Sequence, residues 1–120
     1  MNKKILLIIG IIILAAIIFV FYQKNKLTNT TTSDIILFYG NGCPHCANVD
    51  NYIQENNITS KIKIDKKEVF DNKNNNNLMI KKVKECKIEG TEIGVPFFYY
   101  KGQCFYGDAD IINFFKNNLK

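Results

Sequence analysis

Apolar residues fall along this chain in two unlike patterns. From Ile5 to Tyr22 they form an unbroken run of 18 residues with no charge and a single glycine, Gly10. As a helix that run would be about 27 Å long, close to the roughly 30 Å hydrocarbon core of a bilayer. It has no polar face, so it suits lipid and not a half-buried surface. After a polar stretch the pattern changes to that of a small water-soluble domain. Ile35-Ile36-Leu37-Phe38-Tyr39 is a short continuous apolar run and predicts a central strand covered on both faces. Gly40-Asn41-Gly42 predicts a turn, and from Pro44 the spacing of Val49, Tyr52, Ile53 and Asn56 predicts a helix. Lys61 to Asp65 alternates and predicts a second strand. Asp71 to Asn77 is low-complexity and polar and reads as a loop; Leu78 to Cys86 carries Met79, Val83 and Cys86 at helical spacing. Pro96 to Tyr100 and Gln103 to Tyr106 predict a hairpin closed by Lys101-Gly102. Asp108 is placed to cap a last helix with a core face of Ile111, Ile112, Phe115 and Leu119, and Asp110 to complement its dipole. The soluble order is β-α-β-α-β-β-α, an α/β arrangement.

With 120 residues there is room for one ordinary domain and not for two cores. The chain reads as a basic n-region at 1–4, a transmembrane signal anchor at 5–22, a polar tether at 23–33 and a folded domain at 34–120. A cleaved signal would need a shorter apolar region and a small-x-small site, and Phe21-Tyr22-Gln23-Lys24 offers none. All 16 basic residues are Lys, and four of them (Lys3, Lys4, Lys24, Lys26) flank the apolar run. From Asp34 onward 12 Lys face 11 acids, so the formal charge of +5 is mostly a membrane-flank signal. No basic stripe with interleaved Arg and aromatics is present, and nucleic acid is not an expected partner. The flanking lysines favour a cytoplasmic N-terminus only slightly, and Tyr22 is placed to anchor the outer interface.

The chemistry concentrates in Cys43-Pro44-His45-Cys46, just after a buried strand and opening a helix. That βαβ setting separates a redox Cys-x-x-Cys from half of a zinc site. Pro44 suits the first helical position, which leaves Cys43 as N-cap with its sulfur over free N–H groups at the positive helix end. Both effects favour thiolate over thiol. Cys46, one turn further in, is placed to close a disulfide and to resolve a mixed one. His45, as imidazolium, would stabilise the Cys43 thiolate further and make the disulfide more oxidising. Against this stand a structural disulfide, or a zinc site completed by Cys86 and Cys104, although those two lack the close spacing of a second ligand pair.

Gly94-Val95-Pro96 precedes an apolar strand. A proline there can simply open a strand; next to this motif a cis Val95–Pro96 bond is expected, with the Val95 backbone beside Cys43 and available to a substrate chain. Cys86 and Cys104 are either buried free thiols or, in an oxidising compartment, a structural disulfide tying the second helix to the hairpin. The bridge is the expectation.

This element order, with Cys-Pro-His-Cys after the first strand and Val-Pro before the third, resembles the thioredoxin superfamily at glutaredoxin size, over about Ile35 to Leu119. The Cys43-Pro44-His45-Cys46 centre is similar to that of Dsb-type thiol oxidases, and Gly107 with the acids after it resembles a glutaredoxin ending. Three features depart: Tyr106 replaces the first of a usual glycine pair, Leu37 stands where thioredoxins carry a buried acid, and no Trp precedes the motif. The resemblance implies a four-stranded mixed sheet. It also implies a membrane-anchored thiol–disulfide oxidoreductase acting on protein thiols and disulfides through Cys43 and Cys46, with Pro44 and His45 tuning the centre and Val95 and Pro96 shaping the substrate groove. No cofactor or metal is required. Small anchored proteins of this look are associated with quinone-linked membrane disulfide oxidases, which makes one a candidate redox partner. The domain on its single-pass anchor is expected outside the cytoplasm (extracytoplasmic), because a Cys-Pro-His-Cys oxidant does little where glutathione and thioredoxin hold thiols reduced. Two other functions compete: a Cu(I)- or Zn-handling module built on Cys43 and Cys46, and a glutathione-dependent glutaredoxin facing the cytoplasm.

Overall fold

The computed structural model describes residues 1–27, 33–90 and 93–120. The chain divides into two compact units, Met1–Thr32 and Ser33–Lys120. Among its described residues the first contains one helix, α1 (Lys3–Leu27). Its segment Lys3–Tyr22 has a mean hydropathy of 3.3 and is long and apolar enough to cross a membrane. The helix runs on through Gln23 to Leu27, the first part of the expected tether, because nothing in QKNKL breaks a helix. The rest of the tether, apart from Ser33, lies outside the described residues.

The second unit is a mixed α/β fold: β1 (Ile35–Tyr39), α2 (Pro44–Glu55), α3 (Ile58–Lys61), β2 (Asp65–Glu68), α4 (Lys73–Glu85), β3 (Phe97–Tyr100), β4 (Gln103–Tyr106) and α5 (Gly107–Asn118). The sheet order is β2-β1-β3-β4. β1 runs parallel to β2, with Leu37 opposite Lys66, and antiparallel to β3, with Leu37 opposite Phe98. β3 and β4 form the expected hairpin, closed by Lys101 and Gly102, both at positive φ (47° and 89°), the twist that a two-residue hairpin loop requires.

Strand alternation sends side chains to two separate cores. On one face Leu37 and Phe98 pack with Val49 and Ile53 of α2 and with Ile111, Phe114 and Phe115 of α5. Phe98 is the hub, with ring centroids of Phe114 and Phe115 at 5.6 and 5.2 Å. On the other face Ile36, Phe38, Phe97 and Tyr99 pack with Met79 and Val83 of α4. β1 is therefore buried on both sides, which is why it reads as an unbroken apolar run.

The structure corrects five local expectations. The second strand begins at Asp65 and not Lys61, because Ile58 anchors an extra helical turn, α3, in the first core. Residues 73–77 are helical and not a loop: Asn72 caps α4 by accepting from the Asn75 N–H (3.1 Å), and tertiary packing further along overrides the weak propensity of asparagine. β3 starts after Pro96, not at it. The cap of α5 is Tyr106, not Asp108, whose carboxylate is used elsewhere. Phe114 joins the buried face of α5, while Ile112 is only half-buried.

Candidate functional site

The sheet delivers the C-terminal end of β1 to a tight turn. Gly42 there takes φ 75°, and Gly40 has the Phe70 ring packed where a side chain would stand. The Cys43 N–H closes the turn on the Gly40 carbonyl at 3.2 Å. The loop is tied to its neighbour by Glu68, whose carboxylate accepts from the N–H groups of Phe70 (2.8 Å), Asp71 (3.0 Å) and Asn41 (3.4 Å). Burial alone would raise the Glu68 pKa, but these N–H donors outweigh it and the carboxyl is held below its ordinary value.

Cys43 is the N-cap of α2, with Pro44 in the first turn, and its Sγ accepts from the Cys46 N–H at 3.2 Å. Cys43 and Cys46 form a disulfide with Cα atoms 5.2 Å apart. The pair is asymmetric: Cys46 is buried (5% exposed), whereas Cys43 is half-buried and Pro44 and His45 are exposed. Cys43 lies beside the loop before β3, its Sγ 3.7 Å from the Val95 carbonyl oxygen. The Val95–Pro96 peptide bond is cis, Pro96 is buried, and its carbonyl accepts from the Gly107 N–H at 3.0 Å. The Gly94 N–H donates to the Tyr106 hydroxyl at 3.2 Å. Four of the expected residues, Cys43, Cys46, Val95 and Pro96, are thus gathered at one end of the two central strands, β1 and β3. A shallow cleft of about 350 Å³ opens beside them between Tyr39, Cys43, Cys46 and Asp50, with Asp50 ion-paired to Lys66 (2.7 Å).

His45 does not stand free. A carboxylate can only accept, so the His45 Nδ1–H donates to Asp108 Oδ2 at 3.0 Å, and Asn48 Nδ2 donates to the same oxygen at 2.7 Å. Asp108 belongs to the first turn of α5, so this oxygen joins the two helices. The Asn48 amide first, and then the His45 hydrogen bond and charge, pull the Asp108 pKa down to about 2. Sequence reasoning missed Asp108, Asn48 and Glu68 as parts of the site. The one signal for Asn48 was its i, i+3 spacing from His45, which puts two polar groups on one helix face.

Cys86 and Cys104 form the second disulfide, with Cα atoms 6.2 Å apart, joining the C-cap of α4 to β4. Both pack against the second core, with Val83 and Tyr99. They are bonded to each other and do not complete a ligand set with Cys43 and Cys46. Among the described residues no three His, Cys, Asp or Glu side chains gather to hold a metal ion. No protein-family model matches the chain, and no curated protein matches it.

Proposed function

We propose that this protein is a thioredoxin-like thiol–disulfide oxidoreductase, held to a membrane by α1 and exchanging disulfides with protein substrates outside the cytoplasm through Cys43 and Cys46. The observation that carries the reading is the state of Cys43: a half-buried disulfide sulfur at a helix N-cap, taking the Cys46 N–H at 3.2 Å, with its bonding partner buried beneath it. A sulfur so placed is both the accessible end of the disulfide and the better thiolate. The parallel β1-α2-β2 unit, the β3–β4 hairpin and the closing α5 support the fold assignment, as does the cis Val95–Pro96 bond beside the sulfur.

In the oxidising direction a substrate thiolate attacks Cys43 Sγ. The Cys43–Cys46 bond breaks, its electron pair leaves on Cys46, and Cys46 takes a proton. A second substrate thiolate then attacks the substrate sulfur of the mixed disulfide and expels Cys43 as thiolate. The substrate loses two electrons and the protein disulfide gains them. The helix N-terminus and the Cys46 N–H stabilise the leaving Cys43 thiolate, which speeds this step and raises the oxidising strength. Reoxidation requires a second disulfide donor, which we assign to a membrane disulfide oxidase. Cys86–Cys104 serves the fold and takes no part.

The experiment is equilibration of the full chain with glutathione redox buffers, acid quenching and mass mapping of blocked thiols. Cys43–Cys46 should open and close reversibly while Cys86–Cys104 stays closed. Metal uptake by the reduced pair without disulfide exchange would replace the reading with the metal-handling one. Digestion of the domain by protease added to intact cells should follow from the outward topology; digestion only after lysis would reverse it.

A further inference from the structure

We propose that Asp108 is a positioning residue that limits how oxidising the Cys43–Cys46 disulfide is, by holding His45 through Nδ1 and countering its charge. This rests on the oxidoreductase reading above. The geometry is a cross-helix clamp: one carboxylate oxygen of α5 receives His45 Nδ1–H at 3.0 Å and Asn48 Nδ2–H at 2.7 Å, both from α2. The His45 ring is 70% exposed, so without this contact it would turn freely in water beside the redox pair. The clamp fixes the ring through Nδ1.

The charge argument gives the sign. An imidazolium two residues from Cys43 stabilises the thiolate, hence the reduced form, and so makes the disulfide a stronger oxidant. A carboxylate bonded to that imidazolium turns a charge into an ion pair, whose field falls off faster with distance. The carboxylate also repels the thiolate directly. At a pH where the imidazole is protonated in either case, Asp108 therefore opposes what His45 supplies. Asp108 is itself strongly held in the charged form, which keeps the counter-charge in place over the working range.

The test compares the full chain with Asp108→Asn in glutathione buffers at pH 6. The reaction read is dithiol plus glutathione disulfide giving protein disulfide plus two glutathione thiols. Asn at 108 retains one acceptor oxygen for the ring and removes the charge, together with the oxygen that accepts from the Ala109 N–H at 3.0 Å. The expected result is a disulfide at least threefold more oxidising, about 14 mV at about 30 mV per tenfold for a two-electron couple, together with a lower Cys43 thiol pKa by thiolate absorbance. A merely structural Asp108 would lower the unfolding midpoint of the oxidised and reduced forms equally and leave this equilibrium unmoved. That result, or a shift toward a weaker oxidant, overturns the proposal. A wild-type pair that does not exchange with glutathione at all overturns the oxidoreductase reading, and this inference with it.

Discussion

Cys43 Sγ and the Val95 carbonyl oxygen lie 3.7 Å apart although 52 residues separate them in sequence. That approach joins the Cys43–Cys46 turn after β1 to the cis bond before β3. It also sets two dipoles against each other at one sulfur. The carbonyl presents its negative end and opposes a thiolate, while the Cys46 N–H at 3.2 Å and the helix end favour one. The donor is the closer of the two and is backed by the positive end of α2, so the thiolate is favoured.

From this balance, Cys43 in the reduced pair should be the only thiol to alkylate quickly near pH 6. His45→Gln should slow the reaction several-fold and make the disulfide less oxidising. Timed alkylation with mass mapping checks both. Faster labelling of Cys46 would reverse the assignment of nucleophile and resolving thiol.

The Cys86–Cys104 bridge closes a loop of 18 residues. By chain-entropy reasoning it stabilises the domain by roughly 3 kcal/mol, which is a large share of the stability of so small a core. The Cys86→Ala/Cys104→Ala protein should show that loss in urea unfolding, with the alkylation rate of Cys43 unchanged. A changed rate would mean that the second bridge reaches the Cys43–Cys46 turn.

Acid should weaken the domain with a defined sign. The Asp108 carboxyl is lowered to about 2 in the folded protein, against an ordinary aspartate near 3.9. The unfolded chain therefore binds this proton first as pH falls. The stability that Asp108 contributes is fully present above about pH 4 and is lost as pH falls through about 2. Glu68, also lowered, adds a loss of the same sign. Urea midpoints taken at pH 5 and pH 2.5 should fall less between the two for Asp108→Asn than for the wild type. Equal falls would show that the clamp is not formed in solution.

Phe98, fully buried between β1 and α5, is the hub of the aromatic cluster. Phe98→Ala should cost roughly 3–5 kcal/mol, by lost transfer energy and the cavity left behind. Phe70→Ala, at an exposed ring, should cost far less. Chemical denaturation of the two variants checks the contrast.

Much of the fold was legible because its signals are local. The Ile35–Tyr39 strand, the Cys43 N-cap with Pro44 behind it and the Lys101-Gly102 hairpin all follow from residues within one turn of one another. The errors arose where tertiary contacts decide. The run of asparagines before Leu78 joins α4 because Leu78, Met79 and Val83 dock on the second core. Asp108 carries every local mark of a cap, and nothing in the sequence tells that α2 lies across from it with His45 and Asn48 pointing its way. The approach of Val95 to Cys43 rested on the cis bond expected next to the Cys-Pro-His-Cys motif, since no spacing links the two positions.

The most direct test of the account is a trapping experiment in native membranes. Cys46→Ser should accumulate mixed disulfides between Cys43 and other proteins, because the thiol that would resolve them is gone. Cys43→Ser should accumulate none. Both should be read on non-reducing gels with mass identification of the joined cysteine. Mixed disulfides through Cys43 alone are the predicted result; equal trapping by both variants, or trapping by neither, would contradict it.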